Sequence, residues 1–409
     1  MISDIRLGAG NGDPLDDFVD DDAFVAFTEG IARPDVTLIV NGDFVDFAQI
    51  EPLGVDGLPS DLIWDESASL QKLDTAMAGH GLCFDSLRQL IGAGGHLRII
   101  VGNHDFDFAW PRVQRRLQEF LGGSDDNVVF VVGSDMYAGV HIEHGYQFTP
   151  ENCPRDPVHF IHSWADTTGS RDYLERVWGT DFLLRYFNDI ERQYPFIDHV
   201  KPMIRVVWHG LKDGWLPKRS LVDIAVFLRR RGIPWRALTT MEGDAVTVED
   251  VAGAFEDEHW QQLAAELIGE DRGEIEEALK CLSPEDRAFL AGNAQYSFGD
   301  SPDSGDTLAF GRPPREERCA RKRLAQSSVT HVVFGHTHQI VDKGLGGSWF
   351  NPGCWIPKLD LESEYVAAKI RDTGVGLELF QDKSLFVTER RAVHIRPEIS
   401  RARVELIRV

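Results

Sequence analysis

Val101-Gly102-Asn103-His104-Asp105, entered from the apolar run Leu97-Arg98-Ile99-Ile100, decides how this chain is read. A short buried strand ends, a glycine lets the backbone turn, and an amide oxygen, an imidazole and a carboxylate follow one another. That is the carboxyl end of a strand, where open α/β sheets place their ligands. Asn-His-Asp is also good turn chemistry, so the segment gains meaning only from what resembles it elsewhere.

Working outward, the same grammar recurs. Val36-Thr37-Leu38-Ile39-Val40 closes into Asn41-Gly42-Asp43-Phe44-Val45-Asp46, and Val140-His141-Ile142-Glu143 closes into His144-Gly145. Thr330-His331-Val332-Val333-Phe334 closes into Gly335-His336-Thr337-His338, and the chain opens on Ile2-Ser3-Asp4-Ile5-Arg6. Parallel strands of one sheet bring such endings to one edge, so Asp4, Asp43, Asn103, His144, His336 and His338 are expected to converge. A lone histidine is more often structural than ligating. Carboxylate, amide oxygen and imidazole gathered together suit Mn²⁺, Fe or Zn²⁺ better than Ca²⁺ or a thiolate-selective metal.

Composition sets the outer bounds. The 409 residues are 43% hydrophobic and 26% charged, the balance of a folded globular chain long enough for two lobes. A formal net charge of −24 argues against general attraction to nucleic acid, and is compatible with carboxylates that hold cations. Five scattered cysteines, none in a C-x-x-C pair, predict neither a disulfide framework nor a zinc knuckle. With no basic, apolar leader and no bilayer-length apolar run, the expectation is a cytoplasmic protein without a membrane span.

Along the chain, Gly8-Ala9-Gly10-Asn11-Gly12-Asp13 fails as a dinucleotide loop, because the third glycine of that fingerprint falls on Asp13 and no full strand precedes it. The strand before it is clipped by Met1, which predicts either a longer native N-terminus or a loose sheet edge near Asp4. The acidic run Asp13 to Asp22 reads as a helix N-terminus and solvated face. A long helix is expected from about Ser67 to Gly92. The runs Val128–Val132 and Val140–His144 read as a strand pair joined at Gly133-Ser134-Asp135. From about 151 to 314 the periodicity is helical (Tyr173–Arg192, Lys218–Arg231, His259–Ile268, Glu274–Cys281), broken by prolines and basic in its first half. The predicted organisation is therefore an α/β core, 1–150 with 315–409, carrying an inserted mainly helical cap, 151–314. The segments Tyr365–Ile370 and Gly376–Phe380 read as strands, and Arg390–Val409 as a basic surface arm.

The five strand endings resemble the calcineurin-like metallophosphoesterase superfamily, whose blocks are D-x-H, G-D-x-x-D, G-N-H-D/E, a lone H and G-H-x-H. Here they stand as Asp4-Ile5-Arg6, Gly42-Asp43-Phe44-Val45-Asp46, Gly102-Asn103-His104-Asp105, His144-Gly145 and Gly335-His336-Thr337-His338. The likeness spans about 1–150 and 315–380. It implies a β-sandwich flanked by helices and hydrolysis of a phosphomonoester, phosphodiester or pyrophosphate by metal-bound hydroxide. By position, Asp43 would bridge two ions, Asn103, His144 and His336 would complete one site, and Asp4 and His338 would serve the other. His104 would assist the leaving group, oriented by Asp46 or Asp105. Arg6 departs from the pattern, standing where the family has a ligand histidine, and guanidinium cannot coordinate. One firm site and a weak second site are expected, with Arg6 gripping a substrate phosphate or swinging aside for water. The resemblance and the ligand types point to Mn²⁺ first, to an anionic phosphate-containing substrate as partner, and the net charge disfavours nucleic acid. The competing reading is a binding or scaffold protein that kept the fold and lost turnover.

Overall fold

Burial alternates along two short strands, and that alternation determines how the layers stack. β1 (Thr37–Asn41) and β2 (His96–Ile100) pair in parallel, and β3 (Val128–Val131) adds to β2, giving the order β1-β2-β3. Leu38, Val40, Leu97 and Ile99 face one way, into a core shared with Phe24, Leu73, Phe84 and Leu87. Ile39 and Ile100 face the other way, into a core shared with Ile142, Val333 and Phe350. Period-two side-chain direction makes each strand belong to two cores at once.

The second core belongs to a second sheet. β4 (Ser134–Tyr137) and β5 (Val140–Glu143) form its first hairpin, and a separate antiparallel pair, β6 (Ile161–Asp166) with β7 (Gly169–Leu174), follows. β8 (His331–Val333), β9 (Ile340–Lys343) and β10 (Trp349–Pro352) complete the order β4-β5-β8-β10-β9, with β5, β8 and β10 parallel. Ile142, Val333 and Phe350 fill the space between the sheets. Val332, Phe334 and Trp349 point outward under the Arg315–Leu324 helix, against Ala320. The outer face of the first sheet is covered by α1 (Asp21–Ile31), α2 (Glu66–Gly79), α3 (Gly81–Gly92) and α4 (Pro111–Leu121). The architecture is mixed α/β, two sheets face to face with helices outside.

The computed structural model describes residues 1–10, 12–51, 65–149, 152–166, 169–177, 179–180, 183–184, 188–192, 315–359, 386–399 and 401–409. The chain divides into two compact units, Met1–Ile197 with Glu316–Leu361 and Phe380–Val409, and Asp198–Arg315 with Glu362–Leu379. The site described below lies in the first. Among the described residues, no helix is long and apolar enough to cross a membrane.

Several expectations change. Val128–Val131 and Val140–Glu143 are not partners: the chain passes from one sheet to the other at Gly133, whose φ of +90° suits glycine, and β5 pairs with β4 instead. The long helix is two, broken at His80, whose φ of −111° and ψ of 42° leave the helical region, and beside the break the Gly79 backbone lies against Ala9 and Gly10 with no room for a Cβ. Tyr173 and Leu174, expected to open a helix, end β7. The tail is not a surface arm. It forms a hairpin, β11 (Arg391–Arg396) with β12 (Arg403–Arg408), that buries Val393 and Ala402 in the inter-sheet core. The sheet edge at the N-terminus is not loose: Met1 exchanges backbone hydrogen bonds with Val393, and Ile2 with Ile39 and Asn41, at 2.8–2.9 Å. The expected helices Lys218–Arg231, His259–Ile268 and Glu274–Cys281, the basic face, and the strands at 365–370 and 376–380 lie outside the described residues.

Candidate metal centre

Eight non-glycine residues among those described have positive φ, and five of them are Asp4 (+53°), Arg6 (+57°), Asp43 (+51°), His336 (+69°) and His338 (+59°). Such backbone is disfavoured by ~1–3 kcal/mol per residue and persists where surrounding structure enforces it, which is characteristic of functional sites. The enforcement here is visible. Asp4 N donates to Gly42 O at 3.1 Å, Arg6 N to Asp43 O at 2.8 Å, and Gly335 N to His144 O at 2.8 Å, so the loops after β1, β5 and β8 and the N-terminal segment are laced together. The strand endings meet between two sheets, not along the edge of one.

His144 is at the centre and fully buried. Its Nδ1 lies 2.7 Å from the Asn41 carbonyl, which only accepts, so Nδ1 carries the hydrogen and Nε2 faces the cluster. Around Nε2 stand Asn103 Oδ1 at 3.2 Å, Asp43 Oδ1 at 3.3 Å and Asp4 Oδ1 at 4.0 Å. His336 joins them, its possible ligand atom within 4.8 Å of those of Asp43 and His144. His338 Nε2 is 3.3 Å from Asp4 Oδ1. Asp4 Oδ1 and Asp43 Oδ2 are buried and accept no hydrogen bond. Bonds of about 2.1 Å at octahedral or tetrahedral angles leave ligand atoms roughly 3.0–3.4 Å apart, so Asp43, Asn103 and His144 have the spacing and the acceptor chemistry of a cation site.

The electrostatics point the same way. Burial opposes ionisation of Asp43, yet the charges of His144, His104 and Arg6 outweigh it and hold the carboxyl well below its usual range. Burial also opposes protonation of His144, but Asp43 and Asp4 overcome it and raise its pKa to about 9. Burial, helped by the Asp43 charge, pushes Asp4 up. In the metal-free chain a proton on His144 thus binds the two carboxylates together, and a metal would compete with it.

The other expected residues separate into two roles. His104 Nδ1 is 2.9 Å from Asp46 Oδ2, and the Asp46 and Asp43 carboxylates overcome burial and the Arg6 charge to raise its pKa to about 9. Asp105 is elsewhere: its Oδ1 accepts from Gly102 N at 2.5 Å and its Oδ2 from Phe44 N at 2.7 Å. Of the two carboxylates expected to orient His104, Asp46 stands against it, while Asp105 clamps two loops together. Arg6 does not swing aside. It is 2% exposed, with Nε 3.8 Å from Asp43 Oδ2 and Nη1 3.7 Å from Asp17 Oδ2.

Sequence reading missed the supports. The Ser3 hydroxyl lies against Asp4 Oδ2 and the Asn41 carbonyl, Asp17 lies against Arg6, and Thr149 Oγ1 and Asn152 Nδ2 hold His336 Nε2 at 2.9 and 3.4 Å. Lys72, 2% exposed, donates to the Phe47 carbonyl near Asp46, and burial lowers its pKa. None carries a motif; each is visible only once its neighbour is placed. Compared with known proteins, the chain matches no family model and no curated protein.

Proposed function

We propose that this chain is a metal-dependent hydrolase of phosphate esters of the calcineurin-like metallophosphoesterase type. The observation that carries the reading is the convergence of Asp43, Asn103, His144 and His336 from four loops onto one buried acceptor cluster, with the His104 imidazole, braced by Asp46, beside it. The two-sheet architecture with outer helices supports the same reading.

A divalent ion held by those four residues, Mn²⁺ by preference for their oxygen and nitrogen donors and Fe or Zn²⁺ next, supplies Lewis acidity toward a phosphoryl group and its attacking water. The protein does the rest. Asp46 fixes the His104 ring through Nδ1 and leaves Nε2 to hold the proton that the departing oxygen takes. Asn41 fixes the tautomer of His144, and Thr149 and Asn152 fix the ring of His336. Arg6 places a permanent positive charge beside Asp43 Oδ2, the oxygen turned away from His144 Nε2. That charge opposes a second cation between Asp43, Asp4 and His338, leaving one firm metal site and one weak one.

Arg6 also favours the second reading, a binding protein without turnover. A chromogenic phosphodiester, a phosphomonoester and a pyrophosphate, each assayed with added Mn²⁺, separate the two. Hydrolysis lost in both Asp43→Ala and His104→Ala supports the enzyme; a metal-loaded protein that turns over none of the three leaves the binding protein.

A further inference from the structure

A second heteroatom cluster lies where α1 meets the α2–α3 junction, and it shares no residue with the site above. His80 is 3% exposed and held at both ring nitrogens, with Nε2 2.7 Å from Asp16 Oδ2 and Nδ1 2.7 Å from Asp21 Oδ1. Cys83, fully buried in the first turn of α3, has its Sγ 3.3 Å from the same Asp21 oxygen. Asp21, His80 and Cys83 each offer a ligand atom, all within 4.8 Å of one another.

We propose that Asp21, His80 and Cys83 form a further metal site, for Zn²⁺ or a metal of similar borderline softness. Three features support this beyond proximity. First, the donor set of one oxygen, one nitrogen and one sulfur is the set zinc accepts, unlike the sulfur-free cluster around His144. Second, Asp16 already occupies the place of the outer carboxylate that ligating histidines need. It accepts from Gly10 N at 2.5 Å, Phe18 N at 3.0 Å and Gly8 N at 3.3 Å, so it stays an acceptor, sets the hydrogen on Nε2 and aims Nδ1 at Asp21 and Cys83. Third, the scaffold is rigid. Gly10, at φ +66°, lies so close to Gly79 that an added Cβ would come within 2.5 Å of its Cα, which fixes the Asp16 loop onto the helix junction.

Access is present as well. A cavity of about 510 Å³ is lined by Asp21 and His80 together with Gly10, Asp13, Asp16 and Leu82, so the Asp21 and His80 side of the cluster borders open space. The ion would replace the Nδ1 proton of His80 and the thiol proton of Cys83, and the 2.7 Å Nδ1 to Oδ1 separation would open by roughly half an ångström. Burial and the Asp21, Asp16 and Asp22 carboxylates push the Cys83 thiol up, so only the charge of a bound ion would draw off its proton.

Co²⁺ titration of the full chain tests this without reference to hydrolysis. The expected result is a thiolate-to-metal charge-transfer absorption in the wild type and in Asp43→Ala, lost in Cys83→Ser. In parallel, Asp16→Asn, checked for folding by circular dichroism, weakens Zn²⁺ binding at this site about 10–100-fold. A Co²⁺-loaded wild type with no thiolate band, a band that survives Cys83→Ser, or unchanged Zn²⁺ affinity in Asp16→Asn would overturn the assignment and leave His80 as a doubly paired imidazolium. Loss of phosphoesterase activity would not bear on it.

Discussion

Gly102→Ala addresses the close approach on which the metal centre depends. Gly102 sits between β2 and His104, and a Cβ there would strike Asp43 Oδ1 and come within 2.5 Å of the Asp43 backbone nitrogen, about 0.9 Å inside the 3.4 Å at which ordinary contact begins. The Asp43 side chain cannot yield freely, because its Oδ1 also accepts from His104 N at 3.0 Å and faces His144. The backbone cannot yield freely either, since Asp43 O takes the Arg6 N–H. Overpacking of this kind destabilises by ~1–3 kcal/mol, and a misplacement approaching 1 Å in a reacting constellation lowers the rate about 100-fold. Urea denaturation, Mn²⁺ affinity and phosphodiester turnover read the three consequences. Gly30→Ala is the control: it lies in α1 with nothing within 4 Å of an added Cβ, and should leave metal binding intact and stabilise by up to about 1 kcal/mol. If Gly102→Ala matched the wild type in urea midpoint and Mn²⁺ affinity, the crowding of Asp43 against the Gly102 loop would be wrong.

Asp105→Ala removes the acceptor for two buried amides, Gly102 N and Phe44 N, and should lower stability by about 2–6 kcal/mol at ~1–3 kcal/mol per stranded donor; an unchanged urea midpoint would remove Asp105 from the clamp. Arg6→His withdraws the fixed charge beside Asp43 and restores a ligand, so equilibrium dialysis should show Mn²⁺ stoichiometry rising from one toward two; a wild type already holding two ions tightly would contradict the role given to Arg6. In metal-free protein, Asp16 and Asp21 overcome burial to raise the pKa of His80 from 6.5 to about 9. The folded state therefore binds that proton more tightly, and its contribution of at most about 3 kcal/mol is full below pH 6.5 and lost as pH rises through 9. Wild-type stability minus that of His80→Gln should follow that course; a difference that stays flat from pH 6 to 10 would place the proton elsewhere.

The strand endings were legible because each combined three local signals: an apolar β run, a glycine and a metal-type side chain. Gly42, Gly102 and Gly335 show why the glycine belongs to the motif. A Cβ at Gly42 would enter the His144 ring, at Gly102 the Asp43 carboxylate, and at Gly335 Ser3 and Asp4, so each glycine of one segment makes room for a ligand of another. What stayed hidden was pairing. Val128–Val131 and Val140–Glu143 look like a hairpin because a turn sequence separates them, and nothing local states that Gly133 carries the chain across to the other sheet. The tail reads as polar because few of its residues, Ala392, Val393 and Ala402, are buried and its arginines dominate the composition. His80 and Cys83 were invisible as a site because their partners, Asp16 and Asp21, sit in an acidic run that looks like an ordinary solvated helix start.

The most direct measurement of the central claim is anomalous diffraction from crystals of the full chain grown with Mn²⁺. A peak is expected within bonding distance of Asp43, Asn103, His144 and His336. A map with no ion among those four residues, or with Asp43 and His336 well separated, would contradict it.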